Sequence, residues 1–382
     1  VQTCALPIFK EQGKLEGAEA SYGQAIALEP NYAEAHNNLG ATLQELGRLE
    51  EAEASYMLAI STHPKSLQSN LPIWLYEYSR CITYLYNADD GTPKLEKLWA
   101  DNLNEIDLRV RLPLAINNFL TGDLVSSRKL VSSYFAGLSE TQKLELKKDG
   151  NYWGLLDFIL DWDGERFEYG KSKSQPKTLY VIGDSHILSS HGIKITKPSG
   201  EFLCKSEWVW GCKQWHLGQS KSNKFKYKFE KIVCSLPPES EVLLCIGQID
   251  CFMDEGILLH CKKNPKKKMS LVISETVNNY LSYISQATAP HDHKITIQGI
   301  PCPNVGSTKI LQPDTVKLVE LVAEFDRELK NISISLGFGF LDLHQLTNNG
   351  EGFSNELWHV DAHHITPTGI QEAWQRNCRL KL

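Results

Sequence analysis

Leu179-Tyr-Val-Ile-Gly183-Asp184-Ser185-His186-Ile-Leu-Ser-Ser-His-Gly192 is the most informative segment of the chain. Four apolar residues with high β propensity run into a glycine, an acid and a serine, and a helix-like pattern follows. This order predicts a buried strand with Ser185 on a turn at its carboxyl end. Because ligands bind outside the carboxyl ends of strands in open α/β sheets, Ser185 is a candidate nucleophile that needs a base.

The segments after residue 178 alternate between strand-like and helical patterns. The strand-like runs are 179–182, 225–234, 242–246, 295–300 and 339–343, and the helical ones lie around 274–288, around 314–330 and from 366 onward. Alternating strands and helices are typical of a parallel, doubly wound sheet. A polar linker at 173–177 precedes this predicted α/β domain, which covers residues 178–382.

The N-terminal part of the chain repeats itself at an interval of 34 residues. The matched pairs are Gly13 with Gly47, Ala18 with Ala52, Tyr22 with Tyr56, Ala25 with Ala59, and Pro30 with Pro64. Alanines let paired helices approach, the tyrosine fills the gap between them, and proline ends the second helix. The pattern resembles the tetratricopeptide repeat, so we expect α-helical, repeat-like pairs over residues 9–66 that bind a protein or peptide partner.

Residues 67–172 keep a helical pattern but lose the period. We expect helices at Leu71–Leu85 and Leu95–Ile106, and two more within Leu112–Ala136 that are separated at Thr121-Gly-Asp123. These helices would continue the repeats and cap them.

The first residues, Val1-Gln-Thr-Cys-Ala-Leu-Pro-Ile8, resemble the translation of a sequencing adapter. We therefore expect residues 1–8 to be an artefact, the natural N-terminus to be missing, and the first repeat to be truncated.

Composition narrows the class of protein. A net charge of −6 over 382 residues gives no basic footprint for nucleic acid, and no apolar run reaches the roughly 18 to 20 residues of a membrane span. The ten cysteines are scattered singly, without metal-ligand spacing, which favours reduced thiols. We expect a soluble, cytoplasmic protein without a cofactor, a metal or a nucleic-acid partner.

A candidate base lies near the C-terminus, in Asp361-Ala-His363-His364-Ile-Thr-Pro367. An Asp three residues before a His can fold back and hold the far nitrogen of the imidazole, which favours His364 over His363 as the base. Pro367 predicts the start of a helix, so that His364 lies on the loop before it. His359 and His363 are four residues apart, but the nearby proline disfavours the helix that a zinc site would need.

The C-terminal motifs together resemble the SGNH (GDSL-like) hydrolase family. They are Gly183-Asp-Ser185, a glycine about thirty residues later, Gly247-Gln-Ile-Asp250, and Asp361 to Gly369. The resemblance implies a three-layer, flavodoxin-like α/β domain with a mainly parallel sheet, and acyl-enzyme chemistry without metal. It implies that Ser185 is the nucleophile, His364 the base and Asp361 the orienting acid.

The resemblance also implies an oxyanion hole. Its donors would be the backbone N–H of Ser185, that of a second glycine, and an Asn side chain near Gly247. We favour Gly211 over Gly218 as the second glycine because Leu217 follows Gly211 at a fitting distance.

At the Asn position this chain has Asp250, whose ionised carboxylate cannot donate a hydrogen bond. Three roles remain open for Asp250: it is turned aside or protonated while backbone donors form the hole, it binds a hydroxyl of the acyl acceptor, or the site is degraded.

These observations predict a serine esterase, deacetylase or O-acyltransferase that acts on acyl esters of a glycan or small metabolite. The alternative is a non-catalytic SGNH-like module in a repeat scaffold that binds a partner.

Overall fold

The structure is a computed structural model that describes residues 15–63, 70–102, 108–139, 148–164, 176–305 and 313–379. The chain divides into two compact units. One comprises Val1–Glu145 and Lys221–Lys228, and the other Leu146–Ser220 and Phe229–Leu382. The suspected adapter, Gly13, Pro64 and most of the predicted linker lie outside the described residues, and the boundaries drawn from the sequence at residues 66, 172 and 178 stay predictions.

The first unit is helical, and each of its helices packs on the next. The helices are α1 Leu15–Leu28, α2 Ala33–Leu46, α3 Leu49–Ser61, α4 Leu71–Leu85, α5 Ala88–Asp101, α6 Leu108–Thr121 and α7 Leu124–Ala136. The predicted break between α6 and α7 is confirmed, and Gly122 has a φ of 86° there. The predicted helix at Leu95–Ile106 is described only as far as Asp101, within α5.

The residues that repeat in the sequence form the core between these helices. Those of α1 and α3 are all buried: Ala18, Tyr22, Ala25, Ala52, Tyr56 and Ala59. Gly40 of α2 lies so close to the ring of Tyr56 that a Cβ on Gly40 would be only 3.0 Å from a ring atom. Small residues thus allow close helix packing, and the tyrosine fills the space, as predicted.

Lys221–Lys228 belongs to the first unit although it is distant in sequence. Lys224 is buried, and its Nζ lies 2.8 Å from the carboxylate of Glu45 and 5.2 Å from the centre of the Tyr84 ring. Lys224 is therefore part of the buried interior of the first unit, despite its charge.

The second unit contains the sheet. Its strands are β1 Lys177–Gly183, β2 Lys194–Lys197, β3 Gly200–Trp208, β4 Glu241–Cys245, β5 Lys294–Gln298 and β6 Gly339–Leu341. Its helices are α8 Lys148–Asp161, α9 Gln214–Leu217, α10 Lys224–Ser235, α11 Ile257–Lys263, α12 Met269–Thr288, α13 Pro313–Ser335, α14 Leu343–Thr347 and α15 Pro367–Arg379. Of α10, only the part from Phe229 onward belongs to the second unit.

The sheet has six strands in the order β2-β3-β1-β4-β5-β6. All neighbouring pairs are parallel except β2 with β3. The parallel strands have the flavodoxin-like order, so the predicted mainly parallel sheet is confirmed. Gly183 at the end of β1 pairs with Trp208 of β3 on one side and Cys245 of β4 on the other. Residues that follow these three strands therefore meet at one edge of the sheet.

Two features differ from the sequence prediction. The prediction of a strand at 225–234 is wrong, because these residues lie in helix α10. In this helix Phe225, Phe229 and Val233 recur every four residues and are buried. Strands β2 and β3 were not predicted, because the partly exposed Lys205 and Glu207 interrupt the buried residues of β3 and the hairpin between the two strands turns at Gly200, with a φ of 119°.

None of the nine cysteines in the described ranges forms a disulfide, and Cys4 lies outside these ranges. Within the same ranges, none of the helices combines the length and apolar character that crossing a membrane would require.

Candidate active site

Ser185 is fixed on a tight turn after β1, where it begins a 3-10 helix over Ser185–Ile187. Any side chain at Gly183 would overlap the carbonyl oxygen of Cys245, so glycine lets β1 and β4 pass closely here. The carboxylate of Asp184 accepts the N–H of His186 at 3.0 Å and lies 2.6 Å from His186 Nδ1. These contacts hold Ser185, which is only 5% exposed, in one orientation.

The structure brings Ser185, His364 and Asp361 together although 179 residues separate the serine from the histidine. Ser185 Oγ lies 2.8 Å from His364 Nε2, and His364 Nδ1 lies 2.7 Å from Asp361 Oδ2. The other oxygen of Asp361 accepts the backbone N–H groups of His363 and His364, each at 2.8 Å. The carboxylate is therefore oriented by its own loop, as the three-residue spacing suggests.

Backbone bonds shape the loop that carries Asp361 and His364. The N–H of Val360 donates to the carbonyl of His364 at 2.8 Å, and that of Thr366 donates to Trp358 at 2.7 Å. Helix α15 then begins at Pro367, which confirms the predicted helix start. The short loop leaves the imidazole little freedom to move away from the serine.

The protonation states follow from the environment of Asp361. Burial raises the pKa of this carboxyl, but the charge and the hydrogen bond of His364, with the two backbone donors, outweigh burial and hold it well below its usual range. An ionised carboxylate only accepts hydrogen bonds, so Nδ1 of His364 must carry the proton. In the neutral imidazole, Nε2 is then free to accept the proton of the Ser185 hydroxyl.

A second buried imidazole lies beside the first. The ring of His186 is 4.6 Å from that of His364 and only 5% exposed. Burial lowers the pKa of His186, but Asp184 outweighs it, and the net shift is upward. His363, the alternative base, stacks instead on Phe252 with ring centres 4.1 Å apart, and burial lowers its pKa to about 4.

The two glycines considered for the oxyanion hole, Gly211 and Gly218, differ in whether their backbone N–H is available as a donor. Gly211 follows β3 with a φ of 65°, a conformation that favours glycine. Its N–H, like that of Ser185, donates to no acceptor within the described part of the chain. The N–H of Gly218 donates to the carbonyl of Gln214 at 2.9 Å. Of the two glycines, Gly211 has the available donor.

Asp250 is engaged with backbone donors. Its Oδ2 accepts the N–H of Gln214 at 2.8 Å and its Oδ1 that of Trp215 at 3.2 Å, at the start of α9. The carboxyl is 1% exposed, and burial raises its pKa to about 7 against the effect of these two donors. The side chain therefore connects the loop after β4 to the loop after β3.

Gln214 strengthens the same connection. Its Nε2 donates to the carbonyl of Ile246 at 2.8 Å, and a Cβ on Gly247, whose φ is 140°, would lie 2.6 Å from that nitrogen. Gly247 thus makes room for Gln214. Sequence reasoning missed Gln214, because a lone glutamine in a loop carries no pattern that marks it.

A cavity of about 390 Å³ lies beside the loop of Asp361 and His364. Ala362 and His363 contribute to its wall, together with apolar side chains that include Phe252 and Leu318.

His359 is held in the protein through one ring nitrogen. His359 Nδ1 lies 2.8 Å from the hydroxyl of Ser354, and burial lowers the pKa of His359 to about 4. Across the residues that the structure describes, no three His, Cys, Asp or Glu side chains are grouped as a metal site would need.

Comparison with known families identifies the N-terminal pattern. A family model described as TPR repeat matches residues 8–47, and one described as tetratricopeptide repeat matches residues 33–65. The N-terminal region contains tetratricopeptide repeats. The tetratricopeptide repeats thus include α2 and α3, where the buried Tyr56 and Ala52 lie.

No curated protein matches the chain in sequence. Similar solved structures include a GDSL-like lipase from Bacteroides thetaiotaomicron, with 14% identity and a TM-score of 0.35, covering 55% of this chain and 93% of the lipase. An acetylxylan esterase from Geobacillus stearothermophilus has 15% identity and a TM-score of 0.37, covering 53% of this chain and 94% of the esterase. The C-terminal domain resembles SGNH hydrolases in its mainly parallel mixed sheet.

Proposed function

We propose that the C-terminal domain is an SGNH-type serine esterase, deacetylase or O-acyltransferase with Ser185, His364 and Asp361 as its triad. The observation that carries the proposal is the continuous pair of contacts from Ser185 Oγ to His364 Nε2 and from His364 Nδ1 to Asp361. A serine hydroxyl is a weak nucleophile at its own pKa, and an oriented imidazole is the group that activates it.

The reaction follows from the proton positions. His364 Nε2 takes the proton of Ser185 as Oγ bonds to the acyl carbon, and the carbonyl π electrons move to the oxygen. The tetrahedral intermediate collapses, the alkoxide leaves with the proton from His364, and an acyl-serine remains. Water or a hydroxyl acceptor then attacks, gives its proton to His364, and Ser185 leaves and regains it. Asp361 stabilises the imidazolium in both steps.

The negative oxygen of the intermediate would be held by the backbone N–H groups of Ser185 and Gly211. Both donors are uncommitted in the described residues, whereas that of Gly218 is used. Each such donor is worth about 2.7 to 4 kcal/mol in the transition state. The engagement of Asp250 with Gln214 and Trp215 supports the first of its three roles, in which it is turned aside and backbone donors form the hole.

The substrate class is an acyl ester of a glycan or small metabolite. The cavity of about 390 Å³ beside His363 has the size of a small-molecule pocket and supports binding of one part of such an ester. The tetratricopeptide repeats would bind a protein or peptide partner, since stacked helix pairs present extended surfaces for binding.

The test is turnover of p-nitrophenyl acetate and butyrate together with labelling by a fluorophosphonate. The wild type should show both, and Ser185→Ala should lose the label and at least about 10³-fold in turnover. Ser189→Ala is the matched control, because Ser189 is buried on the same segment and its hydroxyl has no hydrogen-bond partner in the described ranges. A wild type that is inert in both assays would overturn the proposal in favour of a non-catalytic module.

A further inference from the structure

A second cavity, of about 360 Å³, lies apart from the triad residues. Lys213 and Trp215 contribute to its wall from the segment after β3, Asp250 from the loop after β4, and His260 from α11. Because β1 lies between β3 and β4 in the sheet, this cavity opens at the edge that carries Ser185. Its volume is in the range of small-molecule sites.

Trp215 is the most unusual residue of this cavity. Its side chain is 52% exposed, whereas a tryptophan carries a large apolar surface that usually packs inside a protein. The backbone N–H of Trp215 is held by Asp250 at 3.2 Å, and the neighbouring His216 ring lies edge-on at 5.4 Å. The indole is therefore a positioned flat surface at the cavity wall.

Polar groups of mixed character surround the indole. The Nε2 atom of His260 is buried and has no hydrogen-bond partner within the described ranges. A buried nitrogen without a hydrogen-bond partner lowers the stability of the folded protein unless a ligand or solvent molecule bonds to it. Glu275 and Asn279, one turn apart on α12, are exposed at the same cavity.

The charges of the cavity favour a neutral ligand. The ammonium of Lys213 lies 3.1 Å from Glu255 and is already compensated, and Lys267 and Glu275 add one charge of each sign to the wall. Because neither sign prevails, the wall suits a polyhydroxylated ligand, which can both donate to carboxylates and accept from amides and imidazoles.

We propose that this cavity binds a sugar ring, with its apolar face on Trp215 and its hydroxyls hydrogen-bonded to His260, Glu275 or Asn279. This inference rests on the proposed function and narrows its substrate to an ester-bearing carbohydrate. The sugar lies against the loops after β3 and β4, and its ester group extends to Ser185, which follows β1 between these two strands.

The test uses the 382-residue chain with Ser185→Ala, which holds ligand without turnover. Maltose, cellobiose, xylobiose and N,N′-diacetylchitobiose are titrated by isothermal calorimetry. At least one should bind saturably, and Trp215→Ala and His260→Gln should each weaken that binding by about tenfold or more. Trp215→Phe should retain part of the affinity. Phe158→Ala removes another exposed aromatic of the same unit, 40% exposed, and should change nothing.

Absence of saturable binding by all four sugars would overturn the inference, as would unchanged affinity in Trp215→Ala. Binding of inorganic phosphate without any sugar would also overturn it and indicate an anion site. Because binding is measured without hydrolysis, an active esterase that binds no sugar refutes only the carbohydrate site. A sugar-binding protein that is inert towards esters and fluorophosphonate refutes only the triad chemistry.

Discussion

Asp250 accepts the backbone N–H of Gln214 at 2.8 Å, and its other oxygen accepts the N–H of Trp215. Each oxygen of a carboxylate can accept one of these donors, whereas an amide has a single oxygen and places an NH₂ at the other position. The residue that departs from the family pattern is therefore suited to holding the start of α9. This relationship changes what a substitution at Asp250 should do.

We expect Asp250→Asn to lower both stability and ester turnover. The amide NH₂ would face one of the two backbone N–H groups, and a buried donor left without an acceptor costs about 1 to 3 kcal/mol. The measurements are the melting temperature and kcat/KM for p-nitrophenyl acetate. Increased turnover would contradict this expectation and indicate that the oxyanion hole lacks a donor that Asn supplies.

Asp361→Asn should leave the fold intact and reduce kcat by about 10⁴-fold. Asn can still accept from the backbone, but it no longer requires His364 to keep its proton on Nδ1, so that Nε2 loses its role as acceptor. Steady-state kinetics with a circular dichroism spectrum test this expectation. A loss below tenfold would mean that Asp361 does not orient the base.

Much of the site followed from the sequence because it depends on local spacing. A spacing of three residues from Asp361 to His364 is enough to return the carboxylate to the imidazole, and the strand before Ser185 is a continuous apolar run. Similarly, the 34-residue period fixed which positions of α1 and α3 are buried, since every helix of a repeat packs on the same kind of neighbour.

The remaining features depend on contacts between distant segments. Neither the stacking of His186 on His364 nor the bonds from Gln214 to Asp250 and Ile246 have a sequence pattern, because each joins loops after different strands. The run at 225–234 alternates closely enough to suggest a strand, yet its buried residues follow the helical period. Only tertiary packing separates these two interpretations.

The pH dependence of stability should contain a contribution from Asp326 of α13. Burial, with the nearby Asp342 carboxylate, raises the pKa of Asp326 to about 8, and its carboxyl accepts the N–H of Ile300 at 2.7 Å. Between about pH 4, the usual range of a carboxyl, and pH 8 the folded state binds a proton that the unfolded state has lost. The free energy of unfolding therefore falls as the pH rises through this window.

Asp326→Asn removes that titration and keeps an oxygen for Ile300. Relative to the wild type, the variant should gain stability from pH 5 to pH 8, by up to about 1.4 kcal/mol per pH unit. Urea unfolding at both pH values measures the gain. Asp314→Asn, at an exposed position of the same helix, is the control variant. An Asp326→Asn variant that parallels the wild type at both pH values would refute the assignment.

Gly211→Ala should reduce kcat more than Gly218→Ala does. A Cβ at Gly211 meets no atom within 4 Å, so its cost is the strain of about 1 to 2 kcal/mol at a φ of 65°, which displaces the amide. Losing one oxyanion donor lowers kcat by about 10²- to 10³-fold. The kcat values of both variants for p-nitrophenyl acetate test this expectation. A larger loss of kcat for Gly218→Ala would reverse the assignment of the oxyanion donor.

Tyr56 provides a test of the repeat core. Its side chain is fully buried against Gly40, and its hydroxyl has no hydrogen-bond partner in the described ranges. Removing a buried polar atom that bonds to nothing is nearly neutral or stabilising, whereas removing the ring leaves a cavity that costs about 3 to 5 kcal/mol. We therefore expect Tyr56→Phe to match or exceed the wild type in thermal stability and Tyr56→Ala to melt well below it.

Helical circular dichroism during heating measures the melting temperature of both variants. A marked loss in Tyr56→Phe would show that the hydroxyl has a partner, and ester turnover should stay unchanged in Tyr56→Phe because Ser185 and His364 lie in the other unit.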